Sequence, residues 1–191
     1  ARREGVRLAR IEQMGLVDDL PPDEGLQRLI SEIADACGVP IAVISLILSD
    51  KQWFKAHVGL GGPLAEARGS PRELSFCQHA IEGSEPLVVP DARTHPVFAD
   101  NPLVTSGAIG GYIGAPITTP DGTVIGTLCL IDKSPLELGG DVVDALAKLA
   151  RRVAGELELR ARKPPSVGGE RQRSARAEIE VGRQDDALQL P

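Results

Sequence analysis

Cys77, Gln78 and His79 form the most chemical-looking triplet in this sequence. A cysteine near a histidine can ionise to a thiolate, the nucleophilic and metal-binding form, and the start of a short helix would favour it. Residues two apart on a helix point in different directions, however, and no third group that would orient His79 is identifiable. The simpler reading is a packed thiol at Cys77 and an imidazole at a pocket edge, because free cysteine is among the most buried residue types. Cys77, His79 and Cys129, joined by Cys37 or His57, offer soft ligands for zinc. Structural zinc sites bring their ligands in close local pairs such as C-x2-C. That spacing is missing, so no metal is expected, and Cys129 in its apolar run reads as core.

Three further groups draw attention. Trp53-Phe54-Lys55 resembles an exposed binding strip. In an alternating strand Trp53 and Lys55 share one face and Phe54 takes the other, so the expectation is Phe54 in the core and Trp53 over a sheet edge. Asp91, Asp100 and Asn101 are polar loop residues that either line a pocket or make local turns. Arg160, Arg162 and Lys163 close the last long helical segment and suit its negative end. They read as a solvated surface.

The composition narrows the classes of function. Charge sums to −6 with a pI near 5.1, which leaves no excess of cations for a nucleic acid or an anionic membrane. Aromatic residues make up 3% of the chain, too few for a broad stacking platform. The 191 residues are 42% hydrophobic, enough to bury a core in one domain. Three widely spaced cysteines fit neither a disulfide framework nor a zinc finger and suggest a reducing compartment. No apolar run is long enough to span a membrane. The chain starts at Ala1 without an apolar signal region, so a cytoplasmic location is expected, for a chain that also reads as trimmed from a longer one.

The elements that must position these residues follow from periodicity. Leu8, Ile11, Met14 and Leu16 have roughly helical spacing before Pro21-Pro22. Leu26, Leu29, Ile30, Ile33, Ala34 and Cys37 mark one face of an amphipathic helix. Asp23 and Glu24 suit its start, and Gly38 with Pro40 stops it. Residues 41–48 read as a central strand and 52–58 as its partner. Residues 59–72, rich in Gly and Pro, read as a mobile loop. A helical turn follows at 76–81, then a brief edge strand at 87–89 and irregular chain with one or two helical turns from 90 to 108. Strands at 112–118 and 123–131 flank the turn Pro120-Asp121-Gly122. The longest helix runs from Asp141 to about Arg162 with the stripe Val142, Leu146, Leu149, Val153 and Leu157. Residues 163–191 read as a disordered tail or linker. Strands cluster rather than alternate with helices, which gives α+β and removes doubly wound and barrel architectures.

Several stretches in order then resemble GAF domains. They are the strand with Asp-Lys-Gln-Trp-Phe-Lys (46–60), Leu74-Ser-Phe-Cys-Gln-His-Ala-Ile81, Leu87-Val-Val-Pro-Asp-Ala92, Phe98-Ala-Asp-Asn-Pro-Leu-Val104, Gly114-Ala-Pro-Ile117 and Gly126-Thr-Leu-Cys-Leu-Ile-Asp132. The likeness is to the bacterial subgroup found alone or ahead of histidine kinases and diguanylate cyclases. It implies a six-stranded antiparallel sheet with the terminal helices on one face and a loop-covered pocket on the other. It also implies a sensory or regulatory role, dimerisation through the terminal helices and a kinase or cyclase as output partner. Two departures, Gly25-Leu26 and Gly111-Tyr112-Ile113, stand where subgroup members often carry aromatics. They weaken a cyclic-nucleotide reading.

Some members of the family reduce free methionine sulfoxide through several cysteines in one loop region, and others attach a bilin through a Cys near a His. Here only Cys77 lies in a loop-like segment, and only Phe76, Phe98 and Tyr112 are aromatic candidates. The expectation is therefore a non-catalytic module at residues 8–162, its ligand or cofactor unknown. Phe76, Cys77, His79, Asp91, Phe98, Asp100, Asn101 and Tyr112 are the candidate ligand-binding residues. A Cys77-dependent redox enzyme is the alternative.

Overall fold

A computed structural model describes residues 2–17 and 23–161. The expected disordered tail at 163–191 and the Pro21-Pro22 break lie outside them. Six antiparallel strands form one sheet in the order β3-β2-β1-β6-β5-β4. They are β1 (Ile41–Ile47), β2 (Lys51–Val58), β3 (Gly69–Pro71), β4 (Leu87–Val89), β5 (Gly111–Thr118) and β6 (Val124–Asp132). The two central strands, β1 and β6, are the most apolar stretches of the chain and are covered on both faces. Gly126 permits their close approach, since a Cβ there would meet the Ser45 carbonyl oxygen at 1.8 Å.

One face carries the helices α1 (Arg2–Met14), α2 (Glu24–Cys37) and α6 (Gly140–Ala161). Asp23 caps α2 by accepting from the Leu26 amide at 2.9 Å, and Gly38 ends it with φ +64°, the left-handed conformation that glycine adopts without steric cost. Leu26, Ile30, Leu146, Val153 and Leu157 are fully buried against Ile44, Leu46, Ile113 and Leu128 of the sheet. The α6 stripe is therefore spent largely on the sheet: Leu149 and Val142 are half-buried at its margin, and Leu159 points outward at 58% exposure. Arg7 of α1 is buried, donating to the Ile47 carbonyl and to Glu4. Glu4 also accepts from Arg72 at 2.5 Å, tying α1 to the 3-10 turn that follows β3 (Gly69–Pro71).

The opposite face is covered by α3 (Gly62–Ala67), α4 (Cys77–Ala80), α5 (Pro102–Thr105) and two 3-10 turns, Arg72–Leu74 and Ala92–Thr94. Here the expectation of a loop at 59–72 is corrected. The segment holds α3, begun by Pro63, and the strand β3, which pairs with β2 through Gln52↔Ser70 and Trp53↔Gly69. Glycine at 69 is needed for that pairing, because a Cβ would lie 2.5 Å from the Gln52 carbonyl oxygen. A three-residue strand leaves no alternation to read, so periodicity missed it. The expected hairpin formed with Gly122 at φ +84°.

Trp53 lies on the helix side and Phe54 on the cavity side, as alternation requires. Register shifts opposite Ile44 and Ser45, so Lys55 and Ala56 together span one step of the partner strand. Lys55 donates to the Leu16 carbonyl at 2.8 Å on the helix side. The Trp53 ring is covered by Lys51 and Arg68, whose cations stand 4.9 and 5.0 Å from its centroid. The strip is not an exposed platform.

Candidate functional site

Between the sheet and the short helices and turns that cover this face lies a cavity of about 330 Å³. Its floor is the outward face of β1, β2, β5 and β6, from which Ile41, Val43, Gln52, Phe54, Tyr112 and Ile131 project. Leu64, Ser70, Ser75, Phe76, Cys77, Leu103 and Ile109 close the sides. Gly59, Gly61 and Lys133 are the exposed members of the wall and so form its mouth. The lining is mainly apolar with a few polar groups, the usual make-up of a small-molecule site.

The polar groups converge on one atom. Cys77 Sγ accepts from Gln52 Nε2 at 3.1 Å and from the Tyr112 hydroxyl at 3.2 Å, and it stands 3.8 Å from Cys129 Sγ. Ser45 and Thr127, joined by a 3.0 Å hydrogen bond in the sheet beneath, complete a buried polar layer. Tyr112 reaches this layer because residue 114 is glycine. A Cβ there would lie 2.0 Å from the phenol oxygen.

Electrostatics follows from this geometry. Burial opposes ionisation of Cys77, yet hydrogen bonds from Cys129, Thr127, Tyr112 and Ser45 outweigh it and hold the thiol down at about 6. Cys129 is pushed well above the usual thiol value, first by its hydrogen bond to Cys77 and then by burial. Tyr112 is likewise raised, by burial and by the neighbouring Cys77 charge. The two thiols are thus unequal. Cys77 is on the cavity wall and Cys129 lies behind it.

Of the candidate residues, Phe76, Cys77 and Tyr112 line the cavity and the others stand off it. Phe98 stacks behind Phe76, ring centroids 4.1 Å apart, and its own ring is flanked by His79 and His95 at 5.1 and 4.8 Å. His79 therefore serves the packing of Phe98 rather than Cys77. Asp91 caps the 3-10 turn after β4 and pairs with Arg93, which lowers its carboxyl below the ordinary range. Asn101 caps α5 and donates to the Leu74 carbonyl at 3.1 Å. Asp100 is exposed. The turn-forming reading of Asp91 and Asn101 is the one the structure supplies.

One part of the site escaped the sequence reading. The donors to the Cys77 sulfur are Gln52 and Tyr112, with Cys129 beside it, all remote from it in sequence. The available signal was Ser45, Thr127 and Cys129 as polar or thiol residues inside otherwise apolar strands. Thr127 and Cys129, two apart on β6, must share a face. Among the described residues no group of three His, Cys, Asp or Glu could hold a metal ion.

The GAF domain model matches residues 21–157. The chain belongs to the GAF domain family. A cyclic di-GMP phosphodiesterase of Pseudomonas aeruginosa is 38% identical over 133 residues, a match that takes in 69% of this chain and 22% of the relative. This chain thus spans only about a fifth of that relative's length. The fold is also that of the GAF domain of a phosphoenolpyruvate-protein phosphotransferase from Coxiella burnetii, with TM-score 0.60, 17% identity, and 82% and 93% of the two chains covered. It is shared as well with a free methionine-R-sulfoxide reductase from Neisseria meningitidis, with TM-score 0.58, 18% identity, and 78% and 85% covered. No helix among the described residues is long and apolar enough to cross a membrane.

Proposed function

We propose that this GAF domain is a non-catalytic sensory module that holds a small molecule in the cavity and passes its state through α1 and α6. The observation that carries the reading is the cavity itself, mainly apolar, bounded by short elements on one side and by the helix-bearing sheet on the other. A ligand shifts such a domain only if it binds one arrangement of the cover better than another. Its size suits a compact metabolite with an apolar body and one or two polar groups to meet Gln52, Ser70 or Tyr112.

The match to one part of a cyclic di-GMP phosphodiesterase supports an output enzyme on the same chain or a partner chain, such as a phosphodiesterase, cyclase or kinase. Pairing of two copies through the terminal helices is part of the proposal. So is a cytoplasmic location, where free thiols at 37, 77 and 129 stay reduced. The reductase alternative has less support, since the likeness to a sulfoxide reductase at 18% identity concerns the fold alone.

Native mass spectrometry of freshly purified protein tests the reading. A stoichiometric small-molecule adduct that disappears on denaturation is expected. An empty domain whose melting temperature no member of a metabolite library raises would overturn it.

A further inference from the structure

Two of the three thiols of this domain, Cys77 and Cys129, lie side by side. Their sulfurs are 3.8 Å apart, one on α4 and one on β6, and both side chains are at most 2% exposed. Only Cys77 forms part of the cavity wall. Bulk solvent is kept from the pair, while a molecule small enough to enter the cavity meets Cys77 first and cannot meet Cys129 without passing it. Gln52 and Tyr112 aim their donors at Cys77 Sγ, which stabilises negative charge on that sulfur. The third cysteine, Cys37, is half-buried on α2 on the helix side of the sheet, away from these donors.

We propose that Cys77 and Cys129 are a thiol pair oxidised by a small hydroperoxide that enters the cavity, with Cys77 the attacking and Cys129 the resolving residue. In the first step Cys77 Sγ attacks the terminal peroxide oxygen and the O–O bond breaks. The thiol proton leaves with the alkoxide as an alcohol, so the peroxide is reduced and Cys77 is oxidised to a sulfenic acid. In the second step Cys129 Sγ attacks Cys77 Sγ. An S–S bond forms, the S–O bond breaks, and the hydroxyl leaves with the Cys129 proton as water. Two thiols and one hydroperoxide become one disulfide, one alcohol and one water. The sulfurs must close from 3.8 Å to about 2 Å, which draws α4 toward β6 and takes away the acceptor that Gln52 and Tyr112 now share. The step does not require a resident ligand in the cavity, and so stands or falls apart from the sensory reading.

The test treats the whole chain with tert-butyl hydroperoxide, then denatures, alkylates and maps the thiols by mass. Joint loss of Cys77 and Cys129 is expected, linked in one disulfide-joined peptide pair, about tenfold faster than loss of Cys37. Cys129→Ser is expected to stop at a sulfenic acid on Cys77 that dimedone traps, and Cys77→Ser to leave Cys129 reduced. Preferential oxidation of Cys37, or Cys129 loss at an unchanged rate in Cys77→Ser, would overturn the proposal. So would oxidation of the pair by free methionine sulfoxide but not by the hydroperoxide. The measurement on the unmodified chain decides alone if a variant fails to fold.

Discussion

Asp23 and Arg160 join the start of α2 to the end of α6 by a two-pronged contact. Arg160 Nε donates to Asp23 Oδ2 at 2.9 Å and Nη2 to Oδ1 at 2.8 Å, while Oδ1 also accepts from the Leu26 amide. One carboxylate thus serves as helix cap and as interhelical clamp. The Arg160 hydrogen bonds hold its carboxyl down at about 2, against the raising effect of burial.

Asp23→Ala should lower stability by about 1–2 kcal/mol at neutral pH, most of it the lost cap, because the half-exposed ion pair adds little. Asp23→Asn should lose less, since the amide oxygen still caps. The native pKa lies below the unfolded one, so the stabilisation is complete above about pH 4 and lost as pH falls through about 2. Urea unfolding of both variants and the parent from pH 7 to 2 checks this, with the curves converging at the acid end.

The central strands and the long helices were legible because each rests on a long apolar or periodic run, which the three-residue β3 lacks. The α2 face from Leu26 to Cys37 and the apolar β1 had that property, and the hairpin was read from the residue types of its Pro120-Asp121-Gly122 turn. The site was less legible, since its parts are set by tertiary contact. Gln52 and Cys77 meet only because β2 and α4 face each other across the cavity. His79 looked chemical through its nearness to Cys77 in sequence, and the first turn of α4 directs it to Phe98 instead. Asp91 and Asn101 carried no signal to separate capping from ligand binding.

Tyr112→Phe should raise the Cys77 thiol from about 6 toward its ordinary value, because one of the donors to the sulfur is removed. Gly114→Ala should act in the same direction by displacing the phenol, at a further cost of about 1–3 kcal/mol for the clash. The midpoint of iodoacetamide reactivity against pH, followed at Cys77 by peptide mass, reports both. An unmoved midpoint in Tyr112→Phe would separate the hydroxyl from the thiol.

Ala108 is a half-buried member of the cavity wall, and Leu103 and Ile109 stand close to it in the chain. Ala108→Leu should occupy cavity volume and displace a co-purifying molecule, with stability changed by less than about 1.5 kcal/mol because the site has room. Native mass spectra of parent and variant, beside their melting curves, make the comparison.

Leu149 is a poor probe of the proposed helical dimer, because it packs half-buried against the core and a charge there would unfold the protomer. Leu159 on α6 and Val6 on α1 are 58% and 57% exposed, so Leu159→Glu should weaken self-association and leave protomer stability within about 0.5 kcal/mol. Sedimentation velocity across a concentration series is the measurement. A concentration-independent monomer for the parent chain would end the dimer proposal.

Both borders of the sheet are only three residues long, β3 with Pro71 as its last residue and β4 followed at once by Pro90. A border so short, and interrupted by a residue without an amide hydrogen, offers little backbone for an incoming strand to pair with. The domain is thereby protected from strand-by-strand polymerisation although its centre consists of some of the most apolar strands a chain can present. Under the proposed pairing of copies, contact falls to side chains on helices, whose pattern of exposed groups a single substitution can change without opening the sheet.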